Sequence, residues 1–398
     1  MNAVATADAV ATAGRRPGTG AQAWYGLLGL GLLVGLASFA YQWTNGLAVT
    51  GLSNTISWGM YIIAFMFLVG VSAGGLIVVA GSELVGSHRL ESLNRLAVVV
   101  SGTAVLAAGI SIVPDLGRPE LAWKMIVQGN WTSPLMWDMT VISIYLAIAG
   151  IDLWILTRPK PMPKALRRMA QVTLPVAVLV HSVTAWIFGL LVARPFWNTA
   201  LMAPLFISSA LVSGTALVLV VAHLAQRYGR FRPAPNVFGD LGRLLVWFIA
   251  VDAFLLFTEI LTIFTGNEHH HVAQLEVILF GRLAPLFWTE VALGIVVPFV
   301  VVATPRFRAR RGLLVAAACL AIVGVFFKRI NILLSSMFEP LVGMAPGIPG
   351  GRPGQAFRPD EIYLPTLVEW GVLVGLAAFV GMLITLGIRH LVVPRQQP

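Results

Sequence analysis

The sequence contains very little cysteine and little charge. Cys319 is the only cysteine among 398 residues, so the chain has no internal disulfide framework and cannot by itself ligate an iron–sulfur cluster or a zinc site through cysteines. Charged residues make up 11% of the chain and apolar residues 58%, and the mean hydropathy is +0.84. Such a composition cannot supply the polar coat of a soluble protein. If electrons pass through the protein, another subunit must carry the metal.

Apolar stretches long enough to cross a bilayer recur along the sequence. About 20 helical residues span a hydrocarbon core of roughly 30 Å. The pattern predicts an all-α polytopic membrane protein with about ten transmembrane helices. We number these spans 1 to 10 in chain order, over residues 24–43, 56–80, 95–113, 134–156, 171–192, 204–225, 243–265, 284–303, 312–335 and 364–388.

The basic residues are distributed unequally between the two sides of this layout. The side that holds both termini receives most of the 27 Lys and Arg residues, whereas Lys328 and Arg329 fall inside span 9. By the positive-inside rule we expect both termini to be cytoplasmic, in a multi-pass protein of the cell (inner) membrane. The net charge of +10 is then a topology signal and requires no nucleic-acid partner.

The segments outside the spans suggest six parts. Arg15 and Arg16 suggest a twin-arginine signal, but the next apolar stretch is too long and lacks a small-residue cleavage site, so an uncleaved span 1 is predicted. The outer loop 336–363, which is rich in glycine and proline, is expected to be an irregular cap on the outer face or a docking surface. The parts are a cytoplasmic tail (1–23), the first helix and outer loop (24–55), a first four-helix unit (56–192), a second four-helix unit (193–335), the outer loop (336–363), and the last helix with a cytoplasmic tail (364–398).

Short matches recur at a nearly constant offset and fall at equivalent points of the spans. The matching pairs are 72–75 with 213–216, 93–96 with 241–244, 134–137 with 285–288, and 167–168 with 310–311. Four matches in the same order predict two four-helix units, spans 2–5 and spans 6–9, flanked by spans 1 and 10. Because each unit has an even number of helices, the repeat is parallel. The small residues at 72–75 and 213–216 would allow close helix packing.

Four short motifs lie in or next to the helices of the first unit. They are Ile-Ser-Trp-Gly at 56–59, Ser-Ala-Gly-Gly at 72–75, Pro-Asp-Leu-Gly-Arg-Pro-Glu at 114–120, and Ser-Pro-Leu-Met-Trp at 133–137. With them the chain resembles the polysulfide reductase NrfD family. The resemblance implies a membrane subunit without haem that exchanges electrons between quinones and an extramembrane iron–sulfur protein. It also implies a quinone, menaquinone or ubiquinone, in the first unit near the outer face. The implied partners are a four-cluster ferredoxin-like iron–sulfur subunit and a molybdopterin catalytic subunit.

His181 is the only histidine predicted to lie deep in a span. At about 1.5 Å of rise per residue, it is near the middle of span 5. A haem b held between helices needs two histidines at matched depth, so a haem-bearing cytochrome is disfavoured. His181 is predicted to donate to a quinone carbonyl or to relay protons. The alternative is a structural hydrogen bond between helices, for example with Thr184.

Polar and aromatic residues are expected at the outer edge of the first unit. Asp115, Arg118 and Asp138 would supply hydrogen-bond donors and a proton-carrying carboxylate, with Trp58 and Trp137 as aromatic walls. Alternatively, Asp115 and Arg118 pair to hold the loop, and the tryptophans belong to an interfacial belt. The predicted catalytic residues are Asp115, His181 and Asp138, and the predicted cofactor-binding residues are Trp58, Arg118, Trp137, Ser72 and Gly74.

The second unit carries charges at unusual depth. Glu259, Glu290, Lys328 and Arg329 are expected in one layer below the outer face, where two acids and two bases should pair. Asp252 shares a helix face with Glu259, and no partner is expected at its depth. The alternative for Glu290, Lys328 and Arg329 is a neutral structural lock between spans 7, 8 and 9. The predicted proton path consists of Asp252, Glu259, Glu290 and Glu83.

Three consecutive histidines, His269, His270 and His271, follow Glu268 in an outer loop. Consecutive residues rarely converge on one metal ion. We therefore predict a loop and no metal site.

Three classes of function fit a ten-span chain with buried charges. The first is a quinone-reactive subunit of a respiratory oxidoreductase complex, with proton transfer as an additional role. The second is a secondary transporter, because parallel repeats occur among carriers, although the charged layer lies near one face. The third is a passive anchor, which would not need Asp252, His181 and Glu259, each costing on the order of 2.5 kcal/mol or more if unpaired in the bilayer.

Overall fold

The structure is a computed structural model that describes residues 19–393 except 54–55, 87, 159–161, 195, 230 and 339–362. The described residues form helices and connecting turns, without a β-strand. Most of the predicted outer loop at 336–363, and most of the predicted N-terminal tail at 1–23, lie outside the described residues.

Within the described part, ten helices are long and apolar enough to cross a membrane, and each coincides with one predicted span. The all-α polytopic fold is therefore confirmed. In chain order the spans are Gly20–Val49, Met60–Leu84, Arg89–Leu116, Pro134–Thr157, Pro163–Gly189, Met202–Tyr228, Val237–Gly266, Ala284–Ala303, Arg311–Met337 and Leu367–Val392.

Several helices extend beyond the apolar stretch that predicted them. Span 5 begins at Pro163 and not at 171, and span 7 begins at Val237 and not at 243. The first two turns of these helices contain the charged residues Arg167, Arg168 and Asp240, which hydropathy leaves out of a span. Hydropathy marks the apolar core of a helix, whereas its hydrogen-bonded backbone continues into the interface.

Span 8 is not a uniform α-helix. It consists of an α-helix Ala284–Thr289, a π-helix Glu290–Val296 and an α-helix Val297–Ala303. A π-segment contains one residue more per turn and is frequent at functional sites. Here it begins at Glu290, one of the predicted buried acids, and therefore sets the direction of that side chain.

The helix contacts follow two closed sequences. Span 2 contacts span 3, span 3 contacts span 4, span 4 contacts span 5, and span 5 returns to span 2; spans 6 to 9 repeat this pattern. The two sets meet mainly where span 2 packs on span 6, with further contacts of span 5 on span 6 and span 9 on span 2. These contacts are compatible with the two predicted four-helix units, and the parallel repeat stays a prediction.

Spans 2 and 6 cross with their backbones in contact. A Cβ on Gly74 would collide with the Ala210 carbonyl, and a Cβ on Gly214 would collide with the backbone of Gly74 and Gly75. The two small-residue motifs that match in the repeat therefore pack against each other. Such crossings are typical of membrane helices, because small residues let backbones approach.

Span 1 packs mainly on span 10 and outside the two units. Gly35 and Gly375 lie in direct backbone contact, and Gly31 faces Ala378. Span 10 in turn packs on span 3. The two terminal helices thus form a pair that flanks the first unit, and they bring residues of span 10 next to the end of span 3.

Loop contacts define two sides of the molecule. Gln42 at the end of span 1 bonds Pro114 at the end of span 3, and Arg194 after span 5 bonds Ser336 at the end of span 9. We call this the arginine-poor side, which holds the described residues of 50–59, 117–133, 190–201 and 267–283. The opposite side, where Ala234 bonds Ser92, is called the arginine-rich side.

The histidine-rich segment on the arginine-poor side is a helix, His269–Leu279, and not the predicted loop. Its sequence His-His-His-Val-Ala-Gln-Leu-Glu-Val-Ile-Leu places Leu275 and Ile278 on one buried face. The three histidines obscured this short amphipathic pattern, which is too short to be read as a span.

Candidate functional site

Asp115 lies in a polar network at the arginine-poor ends of spans 1, 2 and 3. The Tyr61 hydroxyl donates to Gln42 Oε1 at 2.5 Å, and Gln42 Nε2 donates to the Pro114 carbonyl at 2.7 Å. Asp115 is within electrostatic reach of Tyr61. Its Oδ1 atom is buried and accepts no hydrogen bond from the described residues. A buried carboxylate oxygen without a donor is costly, so a donor from outside the chain would fit here.

Glu369 of span 10 lies in the same network and has its donors. Its carboxylate accepts hydrogen bonds from the Gly51 amide at 2.7 Å, the Thr366 amide at 2.9 Å and the Tyr363 hydroxyl at 2.5 Å. The Tyr363 hydroxyl also accepts from the Met60 amide at 2.8 Å. Burial and then the Glu369 carboxylate raise the pKa of Tyr363 above its ordinary value, so the hydroxyl remains a donor.

Arg118 and Trp137, also predicted at this edge, are exposed. Arg118 is exposed, and the ion pairs found among the described residues do not include it. The alternative in which Asp115 and Arg118 pair is therefore not observed. Trp137 is 37% exposed and donates to the Trp131 carbonyl at 2.7 Å, a position that suits an interfacial tryptophan.

Asp138 lies inside the first unit and is bonded to span 5. The Thr184 hydroxyl donates to Asp138 Oδ1 at 2.6 Å, and both residues are buried. The expected alternative partnership of His181 with Thr184 is absent from the hydrogen bonds of the described residues, because this hydroxyl serves Asp138 and its own helix at Val180. Thr184 thus joins spans 4 and 5 through a carboxylate.

Trp58 belongs to an aromatic cluster between the two units. It stacks on Trp197 with ring centroids 5.9 Å apart, and it meets the edge of Phe188 at 5.8 Å. Phe188 contacts Phe206 at 6.0 Å, and the Arg329 guanidinium lies 4.0 Å from the centroid of that ring. The aromatic residues therefore lead from the arginine-poor side to a buried cation at the junction of the units.

His181 and Arg329 approach each other at this junction. A Cβ on Gly70 would lie 3.6 Å from both His181 Nε2 and Arg329 Nη2. Arg329 Nη2 donates to Ser209 Oγ at 2.7 Å. Both nitrogens of His181, with Arg329 Nε and Nη1, have no hydrogen-bond partner among the described residues. Buried nitrogens of this kind are commonly satisfied by internal water or by a bound polar group.

Ser72 and Gly74 serve helix packing in this structure. Ser72 Oγ donates to the Ser101 carbonyl at 2.7 Å, and the Tyr145 hydroxyl donates to the Ser72 carbonyl at 3.2 Å. The space beside Gly74 is occupied by the Ala210 carbonyl of span 6. Neither position offers space for a bound ring.

Asp252 has a partner, and the expectation that it lacks one is wrong. Lys328 Nζ donates to Asp252 Oδ2 at 2.5 Å, and the Ser208 hydroxyl donates to Asp252 Oδ1 at 2.8 Å. Lys328 Nζ also lies 3.9 Å from Glu290 Oε1. All of these groups are buried. The depth estimate placed Lys328 in the layer of Glu259, but a lysine side chain reaches along the helix to the deeper acid.

Glu259 and Arg329 are not members of an ion-paired layer, contrary to the prediction of two acids paired with two bases. Glu259 accepts a hydrogen bond from the Thr199 hydroxyl at 3.1 Å, and Arg329 points toward spans 2 and 6. Consecutive helical residues such as Lys328 and Arg329 diverge by about a quarter turn. Equal depth therefore does not give equal direction.

A cleft opens within the second unit at its arginine-poor half. Its empty volume is about 580 Å³ including the open mouth, and its walls come from spans 6 to 9, the 190–201 loop and the helix His269–Leu279. The polar residues on its wall are Glu259, Glu290, Lys328 and Asn331. Asn331 Nδ2 donates to Glu290 Oε2 at 2.7 Å. Apolar walls with a few converging polar groups are typical of a ligand site.

Glu83 lies on a second cleft, at the arginine-rich half of the first unit. The cleft has an empty volume of about 310 Å³ and also contains Asp152. The Thr173 hydroxyl donates to Asp152 Oδ2 at 2.8 Å, whereas Asp152 Oδ1 has no partner among the described residues. Glu83 is thus in the first unit and not adjacent to the Asp252 cluster.

Sequence reasoning missed several residues of these networks. Glu369 follows Thr366 in a Thr-x-x-Glu capping box, a readable signal, but nothing in it indicates the contact with Gly51. Asp152 is a charge inside span 4 and could have been singled out by the argument used for Asp252. Gln42, Tyr61 and Asn331 carry no such signal, because uncharged polar residues are common in spans.

No group of three or more His, Cys, Asp or Glu residues in the described ranges could hold a metal ion.

The model of the family described as polysulphide reductase, NrfD, matches residues 48–339. A Halobacterium salinarum protein, provisionally named as the C-type membrane subunit of a dimethyl sulfoxide reductase, is 35% identical over 97% of this chain and 96% of its own length.

Two further relatives cover about as much of the chain. The C-type subunit of selenate reductase from Mesobacillus selenatarsenatis is 24% identical over 90% of this chain and 91% of its own length. The Hdr-like menaquinol oxidoreductase integral membrane subunit of Archaeoglobus fulgidus is 26% identical over the same shares. Similar proteins are thus membrane subunits of oxidoreductases.

Proposed function

Because the chain belongs to the polysulphide reductase NrfD family, we propose that it exchanges electrons between membrane quinones and an iron–sulfur partner subunit. The partner docks on the arginine-poor side, and the catalytic centre belongs to a molybdopterin subunit. The quinone is a menaquinone or a ubiquinone. The relative named as a menaquinol oxidoreductase subunit supports this class of substrate.

The observation that carries the proposal is the unpaired Asp115 carboxylate at the arginine-poor end of the first unit. Its buried Oδ1 has no donor among the described residues, and a donor is what a quinol hydroxyl supplies. Tyr61 lies within its electrostatic reach and is held by Gln42. Oxidation of a quinol to a quinone releases two electrons, which pass to the iron–sulfur partner, and two protons. Asp115 is the group to accept the first of these protons, and it can pass on the second after releasing the first to the arginine-poor side, while the bonded Tyr61 and Gln42 orient the ring.

The position at one end of the spans supports electron transfer to a partner. The chain has one cysteine, Cys319, which lies in span 9, so the metal centres belong to another subunit. A quinol bound beside Asp115 would lie directly below the 117–133 loop. Exposed apolar side chains on this loop, among them Trp123, Ile126 and Val127, offer a docking surface for that subunit.

Proton transfer through the protein is a second part of the proposal, and the structure changes its predicted route. Asp252 is ion-paired with Lys328, so it would act as one member of a pair and not as an isolated carrier. His181 and Arg329 carry unpaired nitrogens at the junction of the units. They provide a polar connection between the two units, with His181 as the proton relay.

The orientation follows from the positive-inside rule. With the arginine-rich side in the cytoplasm, both termini are cytoplasmic and the Asp115 network faces the outside of the cell membrane. The iron–sulfur and molybdopterin subunits would then lie on the outer face.

The test is Asp115→Asn in the intact membrane-bound complex, with Glu91→Gln as the control. Glu91 is an exposed acid on the arginine-rich side, away from the proposed docking surface. Asp115→Asn should lower quinol-driven turnover by roughly a hundredfold, the usual contribution of a positioned acid or base. Glu91→Gln should leave it unchanged.

Turnover with a soluble viologen donor, which bypasses the quinol, should be normal in both variants and thereby reports assembly. Normal quinol-driven turnover in a fully assembled Asp115→Asn complex would reject the site.

A further inference from the structure

The cleft of the second unit contains unpaired acceptors. Glu290 Oε1 and Asn331 Oδ1 are both buried and accept no hydrogen bond from the described residues, although each residue uses its other polar atom in the bond between them. Glu290 is 1% exposed and Asn331 5%, and both line the cleft. An amide oxygen and an ionised carboxylate both accept hydrogen bonds, so a group with a donor would complete the site.

The rest of the cleft restricts what that donor can be. Its walls are largely apolar, with Phe196 and Phe287 among them, and Glu259 adds a second carboxylate. An anionic headgroup would be repelled by Glu259 and Glu290, since the one lysine at the cleft is already bonded to Asp252. The fitting ligand is neutral, flat or apolar in its body, and carries hydroxyl donors.

The backbone at Glu290 differs from a regular α-helix. Glu290 is the first residue of the π-helix Glu290–Val296. In the first unit the nearest equivalent acid, Asp138, is one residue earlier relative to the matched motif, lies in a regular α-helix and lines neither cleft described here. The π-helix therefore distinguishes the unit whose acid faces empty space.

We propose that this cleft is a second binding site for membrane quinol, in which a headgroup hydroxyl donates to Glu290 Oε1 and Asn331 Oδ1. The apolar walls hold the ring and the first part of the isoprenoid tail. This inference rests on the proposed function for its ligand class, but it places the ligand at other residues.

The experiment uses an azido-quinone photoprobe on membranes that contain the intact complex, followed by mapping of the labelled peptides. The blocking variant is Ile260→Trp, because Ile260 lines the cleft. The matched control is Leu261→Trp on the same helix, because Leu261 is 46% exposed and does not line the cleft. Ile260→Phe provides a smaller obstruction if the tryptophan lowers the amount of complex.

We expect excess unlabelled quinol to lower the azido-quinone labelling of peptides of spans 7 and 9 several-fold more than excess unlabelled quinone does, because the unpaired atoms are acceptors. Ile260→Trp should lower this labelling at least tenfold and leave labelling near Asp115 unchanged. Leu261→Trp should lower neither.

Each contrary outcome has a separate meaning. Labelling confined to the Asp115 region overturns the second site and supports the proposed function. Labelling of spans 7 and 9 that quinol and quinone competitors lower equally, or that Ile260→Trp does not reduce, indicates an unspecific lipid-filled cleft. Either result also overturns the second site. Labelling at neither place overturns both proposals.

Discussion

Each four-helix unit places a hydrogen-bonded acid near the start of its third helix, and the surroundings of the two acids differ. Asp138 directly follows the 134–137 motif, whereas Glu290 is separated by one residue from the matching 285–288 motif. Each acid accepts a hydrogen bond from the fourth helix of its unit, Asp138 from Thr184 and Glu290 from Asn331. Three residues earlier on the fourth helix stand His181 and, in the second unit, Lys328.

The difference lies in what faces those two bases. Lys328 meets Asp252 of span 7 and Glu290 of span 8. His181 meets no carboxylate among its hydrogen-bond partners in the described residues and instead approaches Arg329. The second unit therefore keeps a compensated charge cluster beside a cleft, whereas the first unit keeps a neutral or unpaired polar centre. The same four-helix arrangement thus holds a buried ion pair in the second unit and a histidine without a hydrogen-bond partner among the described residues in the first.

The largest expected effect comes from breaking the ion pair of the second unit. Lys328→Met strands the buried Asp252 and should cost roughly 3–5 kcal/mol. A large drop in thermal unfolding midpoint in detergent would show it. Lys124→Met, on a short helix outside the spans, should have no effect.

The double variant Asp252→Asn with Lys328→Met should recover much of this loss, because it leaves no uncompensated charge at the pair. If the double variant is as unstable as Lys328→Met alone, then the lysine acts mainly through Glu290, and the described pair is not the main interaction.

A smaller effect is expected where the two units touch. Gly74→Val places a side chain against the Ala210 carbonyl and should cost about 1–3 kcal/mol, the usual penalty of overpacking. Gly81→Val, on the same helix with nothing within contact distance of its Cβ, is the control. Equal unfolding midpoints for the two variants would mean that spans 2 and 6 can separate without loss.

The spans could be predicted because a hydrocarbon core demands long apolar helices, and only length and hydropathy are needed for that. The partners of the side chains could not be predicted, because depth along a helix gives neither the direction of a side chain nor the position of the neighbouring helix. Lys328 and Glu259 share a predicted layer but not a partner. The Asp115 network was predicted in part, because its Glu369 and Tyr363 members come from a distant segment that only the folded chain brings near.

The finest test of the comparison sets Thr184→Val against Asn331→Leu. Thr184→Val removes the hydroxyl that donates to Asp138 Oδ1, and a buried acceptor without its donor costs about 1–3 kcal/mol. Asn331→Leu removes a similar bond from Glu290, but Lys328 Nζ remains 3.9 Å from that carboxylate, so its cost should be smaller. Thermal unfolding of both variants in the same detergent measures the difference. A larger loss of stability for Asn331→Leu would show that Lys328 does not compensate Glu290. The acid of the second unit would then depend on its hydrogen-bond donor at least as strongly as the acid of the first unit does.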